Sequence, residues 1–438
     1  DAAAISIGVA VRGKRPEALE QGEVARLGKG ASYRTYQEAS LEALLRGTES
    51  EILREIDELA HQLQLFDSQE DKALARKRIA ELRMAGGNHD KRCFLDSEVR
   101  VVVATAYKAL QFLDDETVRK MLERGEAPFT TIFVDEAGLI SRATVAALSL
   151  LASRRVVLVG DSKQLAPISK IARVLPTRQE KWLAQSGLSH LDSVHNAPPA
   201  VHFLAEQRRM HPDVCRVVSH YQYGGLLTTA PETAARPAKL PPLLSGDSRA
   251  IWYVLDEEDA RLTSIRAERG PGNRSWVRAV TEDVLSKLFY DEEMRQTRGL
   301  FISPFIAQAK AISKWFASEG VRSWSASTVH SQQGAEADIV IFDTVNAGSY
   351  SWSFDDWKRL INVGMSRAKE AVILLARRTE MEEPYLKPLL QMLSPRVLVK
   401  RGRSVQWRAV EAEHPTSTDG AAPRSNNLGG QFAKRKAM

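Results

Sequence analysis

Apolar and β-branched residues come in short runs along most of the chain, and each run stops at a polar cluster. Thr131, Ile132, Phe133 and Val134 make one such run, which predicts a buried strand ending abruptly at Asp135 and Glu136. Upstream, residues 99–110 predict a β-branched strand that closes at Thr105 and passes into a helix. Downstream, a helix over 144–151 leads to a strand within 154–168, ending at Gly160 and Asp161 and followed by Gln164, Leu165 and Pro167. A second series repeats the pattern. It has a strand over 251–256, then a strand from 299 that breaks at Ser303 and Pro304 into a helix. A polar turn with Gln333, Gly334 and Glu336 precedes another buried strand, and Arg367 and Lys369 are expected on a helix ahead of a last core strand. Strand–helix alternation with polar residues at strand ends predicts parallel sheets, each with its site along one edge.

Residues 36–85 differ. Leu41, Leu44, Leu45, Ile52, Leu53, Ile56, Leu59 and Leu63 recur at steps of three and four, and Leu74, Ile79, Leu82 and Met84 follow a polar break. This spacing predicts a helical hairpin, either an insertion on a globular core or plain core helices. Residues 226–248, rich in Pro, Thr and Ala, read as a loop. The chain turns basic beyond Lys400 and then low in complexity, and the residues after about 410 read as a disordered tail. The expected organisation is a first α/β domain over 1–195 with a helical insertion at 36–96, a second over 196–400, and a basic tail over 401–438.

At 438 residues the chain is long enough for two or three domains. Cys93 and Cys215 lie far apart with no Cys/His cluster, so neither a disulfide framework nor a zinc site is expected. His202, His211 and His330 are spaced for no metal. No apolar run reaches membrane-spanning length, and a monomer in a reduced, cytoplasmic compartment is the simple expectation. The formal net charge of +6 favours a polyanionic partner.

An acid pair at the carboxyl end of a strand is how an open parallel sheet presents a magnesium ligand and a general base to a nucleotide. Hydrophobic-then-acidic stretches also close ordinary strands. Gly8, Gly13 and Lys14 fit the frame GxxxxGK of a phosphate-cradling loop. Arg15, however, stands where Ser or Thr holds magnesium, the interior is Val-Ala-Val in its core, and Pro16 interrupts the helix that should follow. This is read as a chance match, and no GxxxxGK[ST] occurs in the chain.

Five stretches together, in order over residues 98–380, resemble the superfamily 1 helicases, in the branch that includes the nonsense-decay RNA helicase and senataxin. VDEAG resembles the family's magnesium-and-base motif and GDSKQLAPI its phosphate-sensing motif; EQRRMHP, TVHSQQGAEADIVI and INVGMSRAK resemble three motifs of its second domain. The resemblance implies two RecA-like parallel-sheet domains, ATP and Mg2+ as cofactors, and movement 5′-to-3′ on single-stranded DNA or RNA. It assigns Asp135 to magnesium and Glu136 to the attacking water, with Gln164 sensing the γ-phosphate. Arg209 and Arg367 would be arginine fingers reaching across the interdomain cleft, and Glu336 would accept from a ribose hydroxyl. Gly160, Asp161, Gln207 and Gly334 join the nucleotide-binding set. Thr105, Pro304 and Thr328 would lie near the nucleic-acid backbone, on the face away from ATP. Each arginine taken alone could equally be a surface ion pair. Trp324, Trp352 and Trp357 either stack bases or belong to the core.

Three features depart from the family pattern. Arg208 stands where the family has a Tyr that packs on adenine, although a guanidinium also stacks. His330 and Gln332 replace an acid and an aromatic. The phosphate loop is missing, and residues 24–34 resemble the family segment beyond it. The expectation is thus the C-terminal part of a helicase whose first domain is incomplete here; the alternative is a degenerate, non-hydrolysing nucleic-acid-binding or regulatory module.

Overall fold

The computed structural model describes residues 2–28, 41, 44, 50–66, 68–168, 176–189, 201–246, 249–255, 280–331, 335–345 and 353–410. The chain divides into two compact units, Asp1–Leu204 and Ala205–Met438. Both are α/β with parallel strand pairing, as the alternation of elements predicted.

In the first unit β1 (Val24–Arg26) pairs parallel with β2 (Val101–Val103), and β3 (Phe129–Val134) pairs parallel with β4 (Ala152–Leu158). Their shared core holds Ala25, Leu27, Phe94, Phe112, Val118, Val134, Leu148 and Leu151. Phe94 stacks on Phe112 at 3.9 Å and meets Phe129 edge-on at 4.9 Å. The helices Ser50–Leu65 and Gln69–Leu95 carry the predicted hairpin. Ser68 caps the second, its hydroxyl oxygen accepting from the Glu70 N–H at 3.1 Å. Arg78 donates to Glu55 across the pair at 2.8 Å, an exposed ion pair that solvent screens. The long helix ends with Cys93 and Phe94 inside the core, which roots it. The GxxxxGK frame lies inside the helix Ala2–Lys14, where Gly8 packs closely: a Cβ there would meet the Leu44 side chain at 2.5 Å.

Among the described residues the second unit has a seven-stranded sheet in the order β13-β12-β7-β11-β10-β8-β9. The strands are β7 (Ala250–Leu255), β8 (Gly299–Ser303), β9 (Trp324–Thr328), β10 (Ala337–Asp343), β11 (Ala368–Arg377), β12 (Ser394–Arg401) and β13 (Ser404–Ala409). All pairings are parallel except β12 with β13. Every residue of β7 and β8 is buried, which explains why these strands read as apolar runs rather than alternations. A small pair, β5 (Glu206–Gln207) with β6 (Thr228–Thr229), stands apart from this sheet.

One expectation is corrected. Arg367 and Lys369 are not helical: the helix Phe354–Met365 stops first, Arg367 lies in the following turn and Lys369 is on β11. The residues from 401 to 410, read as basic, include β13, where Val405 and Trp407 pack with Leu398 on the core. Trp324 and Trp357 are core residues: the Trp324 ring occupies the space above Gly299 and donates to the Met294 carbonyl at 2.9 Å, while Trp357 stacks on Tyr385 at 5.2 Å. Trp352 and the residues from 411 onward lie outside the described residues.

At the carboxyl ends of β10 and β11 sits a buried acidic pair, Asp343 and Glu380. Gln308 donates to Asp343 at 2.7 Å, and Glu380 accepts from the Thr344 hydroxyl at 3.1 Å and the Arg377 N–H at 2.9 Å. Burial, reinforced by the Asp343 charge and opposed by Arg377, pushes Glu380 up to about 8. The folded protein therefore keeps this proton up to about 8, whereas the unfolded chain loses it in the ordinary glutamate range. Its contribution to stability is greatest in acid and declines as pH rises towards about 8. Glu380→Gln is expected to remove that decline. The melting temperature of the variant should rise relative to the parent between pH 5 and 8, and a difference that stays flat over this range would contradict the assignment.

Candidate functional site

The carboxyl ends of β3 and β4 meet in one turn system. Val134 lies beside Leu158; the Val159 N–H donates to the Val134 carbonyl and the Ala137 N–H to the Val159 carbonyl, both at 2.9 Å. This pairing carries Asp135 and Glu136 out of the sheet, where both are exposed. Asp135 Oδ1 accepts from the Glu136 N–H at 2.9 Å. Glu136 itself is left-handed, with φ 51° and ψ 39°, a conformation costing a non-glycine residue about 1–3 kcal/mol. On the neighbouring turn, Asp161 accepts from the Lys163 N–H at 2.8 Å and from the Gln164 amide at 3.0 Å. The two turns touch through glycine. A Cβ on Gly138 would lie 2.7 Å from the Asp161 carbonyl oxygen, and one on Gly160 would lie 2.9 Å from the Ala137 nitrogen. Asp135, Glu136, Gly160, Asp161 and Gln164 are thus brought together at one sheet edge.

The donor set of this edge fits a hard divalent cation. Two adjacent exposed carboxylates match magnesium, which takes one or two protein ligands and fills its shell with water and phosphate oxygens. No cluster of three or more potential metal ligands occurs among the described residues, so a cation held wholly by protein is not the pattern here. The helical GxxxxGK frame does not fit a triphosphate, since its backbone N–H groups are turned into the helix.

In the second unit the arginine-bearing motifs converge at the amino ends of β10 and β11. Gln207 organises the turn. Its amide oxygen accepts from the Arg209 N–H at 2.9 Å and the Met210 N–H at 2.7 Å, and its amide nitrogen donates to the Met210 carbonyl and to Thr229 Oγ1. All four hydrogen-bonding positions of this side chain are committed, three within the turn and one to Thr229 on the neighbouring strand, so it holds Arg209 in place. Arg209 donates to Glu336 at 3.0 Å and to the Ser366 carbonyl at 3.1 Å. Lys369 pairs with the other Glu336 oxygen. The bond from Lys369, with the charge of Arg209 added, holds the Glu336 carboxyl below the usual carboxylate range. Arg367 is only 4% exposed and donates to the Ala335 carbonyl at 2.8 Å. Gly334 lies outside the described residues. Arg208, in contrast, points to solvent and pairs with Glu206 and Glu232.

Beneath this cluster, sequence reading missed a clamp. Glu370, 2% exposed, receives Arg236 at 3.1 Å and Arg249 at 2.7 Å. Arg236 also donates to the Arg209 carbonyl at 3.1 Å, and the His211 N–H donates to the Lys369 carbonyl at 2.7 Å. The turn 207–211 is therefore stapled to the start of β11. Burial, then the nearby Arg249, holds His211 below its ordinary range. The only sequence signal for the clamp was a charged residue entering an apolar strand at Glu370.

Thr328 and Pro304 lie at the opposite end of the same sheet, where Ser303 is in register with Thr328. Thr328 is tied to Ser331 through their hydroxyls at 2.9 Å, and Pro304 is buried. Thr105, in the first unit, caps the helix Ala106–Gln111 by accepting from the Lys108 N–H at 3.2 Å. Two residues on, Tyr107 is 80% exposed, an aromatic surface that the sequence alone did not distinguish from a core position.

Residues 73–208 and 183–379 match two families, each described as "AAA domain". The chain is similar to the DNA replication ATP-dependent helicase/nuclease DNA2 of Xenopus laevis, 27% identical over 268 residues, covering 56% of this chain and 25% of that protein. It is also similar to the ATP-dependent helicase upf1 of Schizosaccharomyces pombe, 25% identical over 311 residues, covering 67% of this chain and 32% of that protein. The chain spans between 9% and 38% of the length of the curated relatives it matches. Among solved structures it is similar to Arterivirus nonstructural protein 10 (helicase), at 13% identity and a TM-score of 0.28, covering 65% of this chain and 53% of that one.

The glycine contact in the acid-pair turn is open to a direct check. Gly138→Ala is expected to lose about 1–3 kcal/mol of stability, because the obstructing atom is backbone and has no rotamer to escape into. Gly13→Ala, with nothing within 4 Å of the added carbon, should be neutral or stabilising by up to about 1 kcal/mol. Thermal or urea unfolding of both variants measures the contrast.

Proposed function

We propose that the chain is a superfamily 1 helicase and forms the motor core of an ATP-dependent helicase or translocase acting on single-stranded DNA or RNA, a reading supported by its relatives. The observation that carries the reading is the acid pair Asp135–Glu136 set against the Asp161–Gln164 turn at one edge of a parallel sheet. Asp135 would hold magnesium, and Glu136 would accept a proton from the attacking water. Magnesium, when bound, would neutralise charge on the phosphates of ATP. Gln164, oriented by Asp161, would donate to the terminal phosphate. Arg209, oriented by Gln207 and drawn to Glu336, would stabilise developing negative charge once released from that carboxylate. Arg367 would take the same role on leaving the Ala335 carbonyl.

On the nucleic-acid side, the strand-end residues Thr105, Pro304 and Thr328 would lie along the backbone, and Tyr107 would offer a face for a base. One observation favours the second reading, a non-hydrolysing nucleic-acid-binding module. The GxxxxGK frame is helical, so a phosphate cradle would have to come from other residues.

Two assays test these assignments. The purified chain should bind single-stranded oligonucleotides with strong salt dependence and turn over ATP only faintly. Glu136→Gln should abolish what turnover there is and leave strand binding intact. Robust turnover that survives this change would overturn the role of Glu136, and failure to bind any single strand at low salt would overturn the motor reading. Separately, Tyr107→Ala should weaken single-strand binding by about tenfold, the loss of about one stacked base, as measured by fluorescence anisotropy. Unchanged affinity would remove Tyr107 from the interface.

A further inference from the structure

Between Pro384 and Val410 the chain has six cations, Lys387, Arg396, Lys400, Arg401, Arg403 and Arg408, and no Asp or Glu. That local excess equals the formal net charge of the whole chain, +6. Lys387 pairs with Glu382. Lys400, Arg401, Arg403 and Arg408 are exposed, and none has a carboxylate partner among the described residues. They decorate the hairpin of β12 and β13, held by Leu398 and Trp407 against the core, with Trp407 meeting Tyr253 edge-on at 6.1 Å. The cations thus stand on a rigid element.

The hairpin also has a defined direction. Arg396 is in register with Tyr253, Tyr253 with Leu375, and Leu375 with Asp343. In the adjoining strands Phe342 aligns with Ile302, and Ser303 with Thr328. From this line β12 runs five residues further, to Arg401, which takes the tip about 16 Å past the ends of β8, β9 and β10. The edge it overhangs is the one on which Pro304 and Thr328 lie. Four and five strand spacings separate β12 from β8 and β9, about 19–24 Å. A duplex strand covers that distance in about six or seven nucleotides. Close to the tip, the Lys400 ammonium sits 4.5 Å from the centre of the Tyr290 ring, which is itself 46% exposed, so an aromatic face accompanies the charge.

We propose that the β12–β13 hairpin is a second, sequence-independent contact for the phosphodiester backbone of a nucleic acid, made by Lys400, Arg401 and Arg403 at its tip. It extends the nucleic-acid reading given above and rests on it. The chemistry is charge neutralisation with counterion release: each phosphate neutralised adds to the salt dependence of binding, about 0.7 per contact on a single strand and about 0.9 on a duplex.

The test compares the full chain with the triple variant Lys400→Gln/Arg401→Gln/Arg403→Gln. Each is titrated with a bare single-stranded oligonucleotide and with a duplex bearing a single-stranded tail, at several salt concentrations. The expected result is a slope of log affinity against log salt lower by about 2 for the variant on at least one probe. Loss only on the tailed probe assigns the contact to duplex, and loss on both assigns it to the strand in common. The control Arg401→Lys/Arg403→Lys keeps the charge and should keep the slope. Slopes identical to the parent on both probes, or an equal loss in the lysine control, would overturn the hairpin contact and leave the motor reading standing. A parent chain that binds neither probe would overturn both.

Discussion

A parallel sheet buried on both faces leaves polar chemistry only at the ends of its strands. That constraint governs the seven-stranded sheet of the second unit. β7, β8, β10 and β11 are apolar almost throughout, so charged side chains gather where each strand starts or stops. Because parallel strands share a direction, every start lies on one edge and every stop on the other. In the second unit this sorts the candidate residues without further design: Arg209, Glu336, Arg367 and Lys369 fall at the amino ends of β10 and β11, whereas Pro304 and Thr328 fall at the carboxyl edge. In the first unit β3 and β4 are only partly buried, with Phe133 exposed, and it is their parallel direction alone that sets Asp135 and Glu136 beside Gly160 and Asp161.

The amino-end cluster depends on a buried charge. Glu370 is almost fully enclosed and is met by two guanidiniums, with two charge-assisted bonds to replace lost hydration. Such a cluster is weak evidence for stability, since apolar residues of similar volume often do as well. What it does supply is geometry. Arg236 reaches from Glu370 to the carbonyl of Arg209, so the turn bearing Arg209 is tied to the strand bearing Lys369 by side chain and backbone together. Removing one partner would leave an enclosed charge uncompensated and free the turn.

Much of this was legible in the residues, and what was not has a physical cause. The acid pair could be read because an apolar run ends at it, and the strand–helix alternation could be read because buried parallel strands are continuous in sequence. Gln207 read as a nucleotide ligand; its commitment to the 207–210 turn depends on Thr229, which adjoins it only after β5 and β6 pair. The tryptophans were ambiguous because indole suits either a core or a base, and the missing Cβ of Gly299 decides for Trp324. The strand at 404–409 was hidden by the basic run before it, although Ser404, Gln406 and Arg408 alternate with Val405 and Trp407. Arg367 has the right motif neighbours, but its burial comes from the turn after the helix Phe354–Met365, a boundary that periodicity alone did not place.

The antiparallel partner β13 closes the seven-stranded sheet at one side, and an outermost strand offers unpaired backbone groups to any passing chain. Arg403 and Arg408 flank and occupy that strand. A second copy approaching it would have to bring like charges together while zipping its amides to ours. The same guanidiniums would therefore limit the width of the sheet and oppose the fibrous stacking that a neutral border invites.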